Sequence, residues 1–173
     1  MQNGYEKVLV MVGLKYKLFS AFKFANSATD NESPYFGPLL SQTAKHYKHI
    51  TLVTGDAAYT SRDNCNLVAA LGAVPRFYPI ISGSLRQGHS PAWRVMLEDF
   101  ISDPQHWLED YHKRSNTEGS FSTLKRAYPI ALRKKIHIRR QQEAFSRACN
   151  QNLKRLCYLN YLENINTKEI RHK

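Results

Sequence analysis

Ile50-Thr-Leu-Val-Thr-Gly-Asp56-Ala-Ala-Tyr59 is a short β-branched run that stops at a small-residue turn carrying one carboxylate. Residues 50–53 predict a strand, and Asp56 follows its end, where open sheets with helical crossovers collect their ligand groups. Downstream, Ser61 is placed to cap a helix reaching Leu71, with Leu67, Val68 and Leu71 as its apolar residues and Gly72 to close it. Residues 74–81 predict the next strand, although Pro75 and Pro79 would each forfeit a ladder hydrogen bond. An aspartate in such a turn is also an ordinary acceptor of backbone N–H groups, so Asp56 alone leaves its role open.

Upstream of this stretch, Lys7-Val-Leu-Val-Met-Val12 is an unbroken apolar run that predicts a strand buried on both faces. Gly13-Leu-Lys15 turns the chain, and from Tyr16 to Ala25 apolar Leu18, Phe22 and Phe24 alternate with Lys17 and Lys23, as in a half-exposed hairpin partner. A helix starting at Pro34 or Pro38 is expected to reach about Tyr47. Residues 82–91, with Gly83 and Gly88, predict a loop. Helices are then expected over about 91–101, from Asp103-Pro104 through about Arg126, and from Arg139 to about Asn164.

If the helix entered at Pro104 is continuous, Tyr111, Arg114, Glu118 and Lys125 fall within an arc of about 60° at 100° per residue. One carboxylate between two cations and a phenol suits holding a metal while gripping phosphate oxygens. The competing reading is a capping box, Ser115-x-x-Glu118, at a helix start.

The chain has 173 residues, 42% hydrophobic, enough for one domain with a real core, so residues 1–173 are taken as a single domain. A net charge of +11 points to a polyanionic partner. Between Tyr111 and Arg147 the cations are opposed only by Glu118 and Glu143, with no strongly hydrophobic anchor beside them, which favours nucleic acid over membrane. Cys65, Cys149 and Cys157 lack metal-type spacing and are an odd number, so buried free thiols in a reducing cytoplasm are expected. The scattered histidines lack ligand spacing, and no Ser/His/Asp or Cys/His pairing stands out.

The order of these elements, a buried strand, a hairpin strand, a helix, a strand ending in Asp56, a helix, a strand and a helix bearing Glu118, resembles the ribonuclease H-like fold from its second strand onward. More specifically, Tyr111-x₂-Arg114-x₃-Glu118-x₆-Lys125 is similar to the Y-x₂-R-x₃-E-x₆-K motif of DDE transposases from prokaryotic insertion sequences, and Thr54-Gly-Asp56-Ala-Ala-Tyr59 to their second-aspartate segment. The resemblance implies an α/β fold with a mixed sheet and flanking helices, two Mg2+ or Mn2+ ions held by three carboxylates, and DNA strand transfer. Asp56 would be the second aspartate and Glu118 the glutamate, both metal-binding and catalytic, and Tyr111, Arg114 and Lys125 would contact phosphates of the transposon end. It further implies a homodimer on two DNA ends and a cytoplasmic, nucleoid-associated location.

The chemistry explains why such a site collects acids. Two carboxylates about 4 Å apart repel by roughly 4 kcal/mol at an effective dielectric of about 20, and a shared cation reverses that cost.

The family places its first catalytic aspartate on a central first strand ahead of the one read at 7–12. Asp30 is the only aspartate before Asp56, in a polar loop, and Glu6 is a weaker substitute. The chain is therefore expected to lack that first central strand and to be an N-terminally truncated catalytic domain, inactive alone. Two other readings stand beside it: a non-catalytic basic nucleic-acid-binding protein, and another metal-dependent nuclease or resolvase on the same fold.

Overall fold

The computed structural model describes residues 7–79, 90–129 and 131–163, so the expected loop at 82–91 and the end of the strand expected over 74–81 lie largely outside the described residues. The class is α/β: eleven elements include four strands and six α-helices among the described residues. The chain divides into two compact units, one formed by residues 1–28 with 115–173 and the other by Thr29–Arg114. The described strands form two separate two-stranded sheets, one in each unit, instead of the single mixed sheet expected.

In the first unit, β1 (Val8–Val12) pairs antiparallel with β2 (Phe19–Phe24), from Val8 opposite Phe24 to Val12 opposite Phe19. The hairpin loop closes through Gly13 N to Leu18 O (2.8 Å) and Lys17 N to Gly13 O (2.8 Å). Lys17 takes the left-handed conformation, φ 57°, that this tight loop demands. Of β1 only Leu9 is fully buried, so the strand expected to be buried on both faces is largely half-buried instead. In β2 it is Phe19 and Ala21 that are buried. Phe22, expected on the inner face, packs edge-on against Phe24 and against Phe145.

Two helices cover this hairpin: α5 (Ser115–Ala127) packs on β1 and α6 (His137–Glu163) on β2. Asn152 of α6 closes the contact, since its amide oxygen accepts from Phe19 N (2.9 Å) and its amide nitrogen donates to Phe19 O (2.8 Å). A side-chain amide thus does for Phe19 what a neighbouring strand would do.

The connection before α6 is fixed by one carboxylate. Glu143 Oε2 accepts from Arg133 N (2.9 Å) and Lys134 N (3.1 Å), while Arg147 Nη2 donates to Glu143 Oε1 (2.5 Å). Desolvation opposes ionisation, but the Lys134 N–H, the Arg147 guanidinium and the Arg133 N–H outweigh it and hold the Glu143 carboxyl below its ordinary 4.5. A depressed carboxylate stabilises the folded form above its unfolded pKa and loses that contribution as pH falls through the folded one. The Arg133 and Lys134 amide proton resonances are therefore expected to move together on acidification, with a midpoint below 4.5. A midpoint at or above that value would contradict the assignment.

In the second unit, β3 (Leu52–Gly55) pairs parallel with β4 (Val74–Phe77), Leu52 opposite Val74 and Gly55 opposite Phe77. The crossover is α2 (Arg62–Ala69), capped by Ser61, which accepts from Asn64 N (3.1 Å), and followed by Gly72 at φ 73°. Asn64, Cys65 and Val68 form its buried face, whereas Leu67 and Leu71, expected inside, are exposed.

Ahead of β3, α1 (Ser33–Ala44) buries Phe36, Leu39 and Leu40. After β4 come α3 (Pro91–Ser102), capped by Ser90, and α4 (Pro104–His112), capped by Asp103, each with proline in its first turn. Trp93, Met96, Leu97 and Trp107 complete the core. Burial pushes the Cys65 thiol up to about 12, beside Met96 sulfur at 3.8 Å, so it stays protonated; Cys149 and Cys157 are exposed. Among the described residues no helix is long and apolar enough to cross a membrane.

Candidate metal and nucleic-acid site

Where β3 ends, Asp56 adopts φ −67° and ψ 162° and caps a single 3₁₀ turn, Ala57–Tyr59. Its Oδ1 accepts from Ala57 N at 2.7 Å, the turn role the sequence allowed, and Oδ2 lies 3.8 Å from Arg114 Nη1. The Asp56 side chain is 60% exposed, so this ion pair contributes less than about 1 kcal/mol. A multivalent cation competes easily with a partner held that weakly.

The backbone beneath Asp56 is set by packing. Gly55 is buried, and a methyl group there would come within 2.8 Å of the Phe77 ring. Phe77 has nowhere to go, being fully buried with its ring edge-on to Phe36 at 5.3 Å. Gly55→Ala is accordingly expected to cost about 1–3 kcal/mol through overpacking, read as a lowered thermal midpoint; an unchanged midpoint would contradict this packing.

The far side of the turn is held by Asn64, whose amide donates to Tyr59 O (2.8 Å) and to Ser33 Oγ (3.1 Å). Thr60 Oγ1 donates to Tyr78 O at 2.9 Å and ties the same turn to the end of β4. Burial first, then the charge of Glu32 and a hydrogen bond to it, then Asp56, push the Tyr59 phenol well above its ordinary 10.0. Tyr59 is therefore a neutral packing residue, tilted against Phe36 at 5.8 Å.

Tyr111 and Arg114 belong to this same unit. The Tyr111 ring stacks on Trp107, centroids 5.4 Å apart and 19° between planes, and meets Tyr78 at 5.4 Å. The Arg114 guanidinium lies over the Tyr111 ring at 5.7 Å. Beneath this stack Arg76, 9% exposed at its side chain, pairs with Asp99 at 3.0 Å and approaches Asp110 at 3.8 Å. One buried cation thus joins β4 to α3 and α4 and fixes the helix that presents Tyr111.

The four motif residues do not share one unbroken helix. Helix α4 ends at His112, and Lys113 N donates to Asp110 O (3.2 Å) and Arg114 N to Tyr111 O (3.0 Å), the i to i−3 bonds of a tightened last turn. Ser115-Asn-Thr117 then restarts a helix with residues that favour caps over helix interiors. Glu118 lies exposed in the first turn of α5 and Lys125 in its last, seven residues apart and on one face. Ser115 opens α5, with Glu118 in the same first turn.

Ser120, on the same helix, is buried, its hydroxyl donating to Asn116 O (3.0 Å). Asn64, Arg76 and Trp107 were not singled out from the sequence. Ser61-x-x-Asn64 carried the signal for Asn64, and a lone cation in an apolar strand followed by Asp99 and Asp110 carried it for Arg76.

Among the described residues no three His, Cys, Asp or Glu side chains gather as a metal-holding group. The two acids singled out from the sequence are nevertheless hard oxygen donors of the kind Mg2+ and Mn2+ take, and both are exposed. Asp30, the other aspartate considered, accepts a hydrogen bond from Tyr35 Oη at 2.6 Å in the loop before α1; Glu6 lies outside the described residues.

Comparison with curated proteins and with solved structures returned no match. The family model described as Transposase DDE domain matches residues 2–153. That match spans most of the chain, including the strand end with Asp56, the Tyr111–Arg114 turn and all of α5, and brings with it a ribonuclease H-like fold, a divalent-metal chemistry, DNA as partner and a role connected with transposition. The chain belongs to the transposase DDE domain family.

Proposed function

We propose that this chain carries the metal-binding and phosphate-gripping part of a DNA strand-transfer enzyme, with Asp56 and Glu118 as ligands of divalent cations and Arg114, Lys125 and Tyr111 as contacts to DNA phosphates. The observation that carries the reading is Asp56: an exposed carboxylate directly after a parallel strand, one oxygen spent on its own turn and the other facing a cation at 3.8 Å. When bound, Mg2+ or Mn2+ would activate the attacking oxygen and stabilise the leaving one.

The protein's own contribution is placement. Oδ1 of Asp56 is locked by Ala57 N, so Oδ2 has one direction to present. Arg114 balances that charge, and it can turn to a phosphate once a multivalent ion takes Oδ2. The Trp107–Tyr111 stack holds the phenol beside that guanidinium.

In this reading the catalytic set is incomplete. Only two of the three family carboxylates are assigned, and Asp30 is engaged by Tyr35. The 173-residue chain is then expected to bind duplex DNA but not to nick it in Mg2+ or Mn2+. A supercoiled-plasmid assay checks this. Nicking that disappears in both Asp56→Asn and Glu118→Gln would keep the ligands and refute the incompleteness, whereas failure to bind DNA would refute the functional reading itself.

A further inference from the structure

The most concentrated charge outside the four motif residues lies in the connection between α5 and α6. Arg133, Lys134 and Lys135 are consecutive and exposed, and none has a described carboxylate within salt-bridge distance of its side chain. Three adjacent cations repel one another, which normally favours a mobile, solvated segment. Here the backbone is pinned instead.

Glu143 accepts from the Arg133 and Lys134 N–H groups, Arg140 Nη1 donates to Lys135 O at 2.6 Å, and Arg147 donates to Pro129 O (2.5 Å) and Ala131 O (3.3 Å). The acid and the two arginines of α6 therefore spend themselves on main-chain groups of the connection, leaving its own three cationic side chains turned to solvent. An arrangement serving only to join two helices would need the pinning but not the three cations.

We infer that Arg133, Lys134 and Lys135 form a preorganised contact for the phosphate backbone of duplex DNA, with Glu143 as the positioning residue. The inference rests on DNA being the partner, as in the reading above, but it adds a surface that no motif residue contributes. Fixing the backbone lowers the ordering cost of binding, and each phosphate neutralised releases counterions.

The test is fluorescence anisotropy of a labelled duplex of arbitrary sequence, about 20 base pairs long, titrated with the full chain in EDTA over a salt series. Replacing Arg133, Lys134 and Lys135 together by alanine is expected to weaken binding about tenfold or more near 100 mM salt. The slope of log K against log salt should become shallower by about two to three. Glu143→Ala separates preorganisation from bare charge. It raises the net charge by one, so simple attraction predicts tighter binding, whereas loss of the pinned backbone predicts binding weaker by about threefold or more.

An unchanged salt slope in the triple variant, or tighter binding by Glu143→Ala with its helical circular dichroism intact, would overturn the inference while leaving the DNA reading standing. If the unaltered chain does not bind the duplex, both fall. The triple variant changes exposed side chains only, so it remains decisive if Glu143→Ala does not fold.

Discussion

Trp107→Ala is expected to destabilise the unit formed by Thr29–Arg114 by about 3–5 kcal/mol, the range for deleting a large buried aromatic. The indole is almost fully buried. It meets Phe100 at 5.0 Å, Tyr78 at 6.5 Å and Tyr111 at 5.4 Å, with the Arg76 guanidinium over its ring at 6.0 Å. Removing it leaves a cavity beside a buried cation and deprives Tyr111 of the ring it stacks on.

Trp107→Phe should cost distinctly less. It keeps an aromatic surface and also removes an indole N–H that is buried without a hydrogen-bond partner. Urea denaturation of the three proteins measures the difference. Equal destabilisation by the two substitutions would show that the loss comes from a specific indole contact and not from volume.

The second large effect concerns the acids. Asp56→Asn and Glu118→Gln are each expected to weaken Mn2+ binding by about 100-fold, since hard divalent cations depend on the charge and number of their oxygen ligands. Neither should lower the thermal midpoint appreciably: both side chains are exposed, and the Arg114–Asp56 pair is a weak surface interaction. Isothermal titration calorimetry with MnCl2 reads the affinity. Variants that bind Mn2+ as tightly as the unaltered chain would remove both residues from the ligand set.

What the sequence made legible was mostly local. Ser61 and Gly72 stand at the helix ends their chemistry demands, and the helix entered at Asp103-Pro104 carries proline in its first turn, because caps depend on neighbours a few residues away. Asp56 was equally readable, since a strand end followed by a small-residue turn is written in consecutive positions.

The break between α4 and α5 was not readable. The spacing of Tyr111, Arg114, Glu118 and Lys125 runs through it in helical phase, and only the weak preferences of Ser115-Asn-Thr117 mark the interruption. Long-range pairing was less visible still. That Phe19 would be bracketed by an amide from α6, or that Arg76 would meet Asp99 and Asp110, depends on which surfaces pack. Leu67 and Leu71 show the same limit: periodicity marks an apolar residue but does not supply a neighbour to cover it.

The proposal turns on whether the carboxylates of Asp56 and Glu118 each hold divalent cations. Titrating isotopically labelled protein with substoichiometric Mn2+ and recording backbone amide spectra measures this directly, because the paramagnetic ion broadens only nuclei near it. The expected result is saturable broadening of the amides around Asp56, lost in Asp56→Asn, and of the amides around Glu118, lost in Glu118→Gln. Absence of saturable broadening at either segment, or broadening that persists around the replaced residue in its own variant, would contradict it.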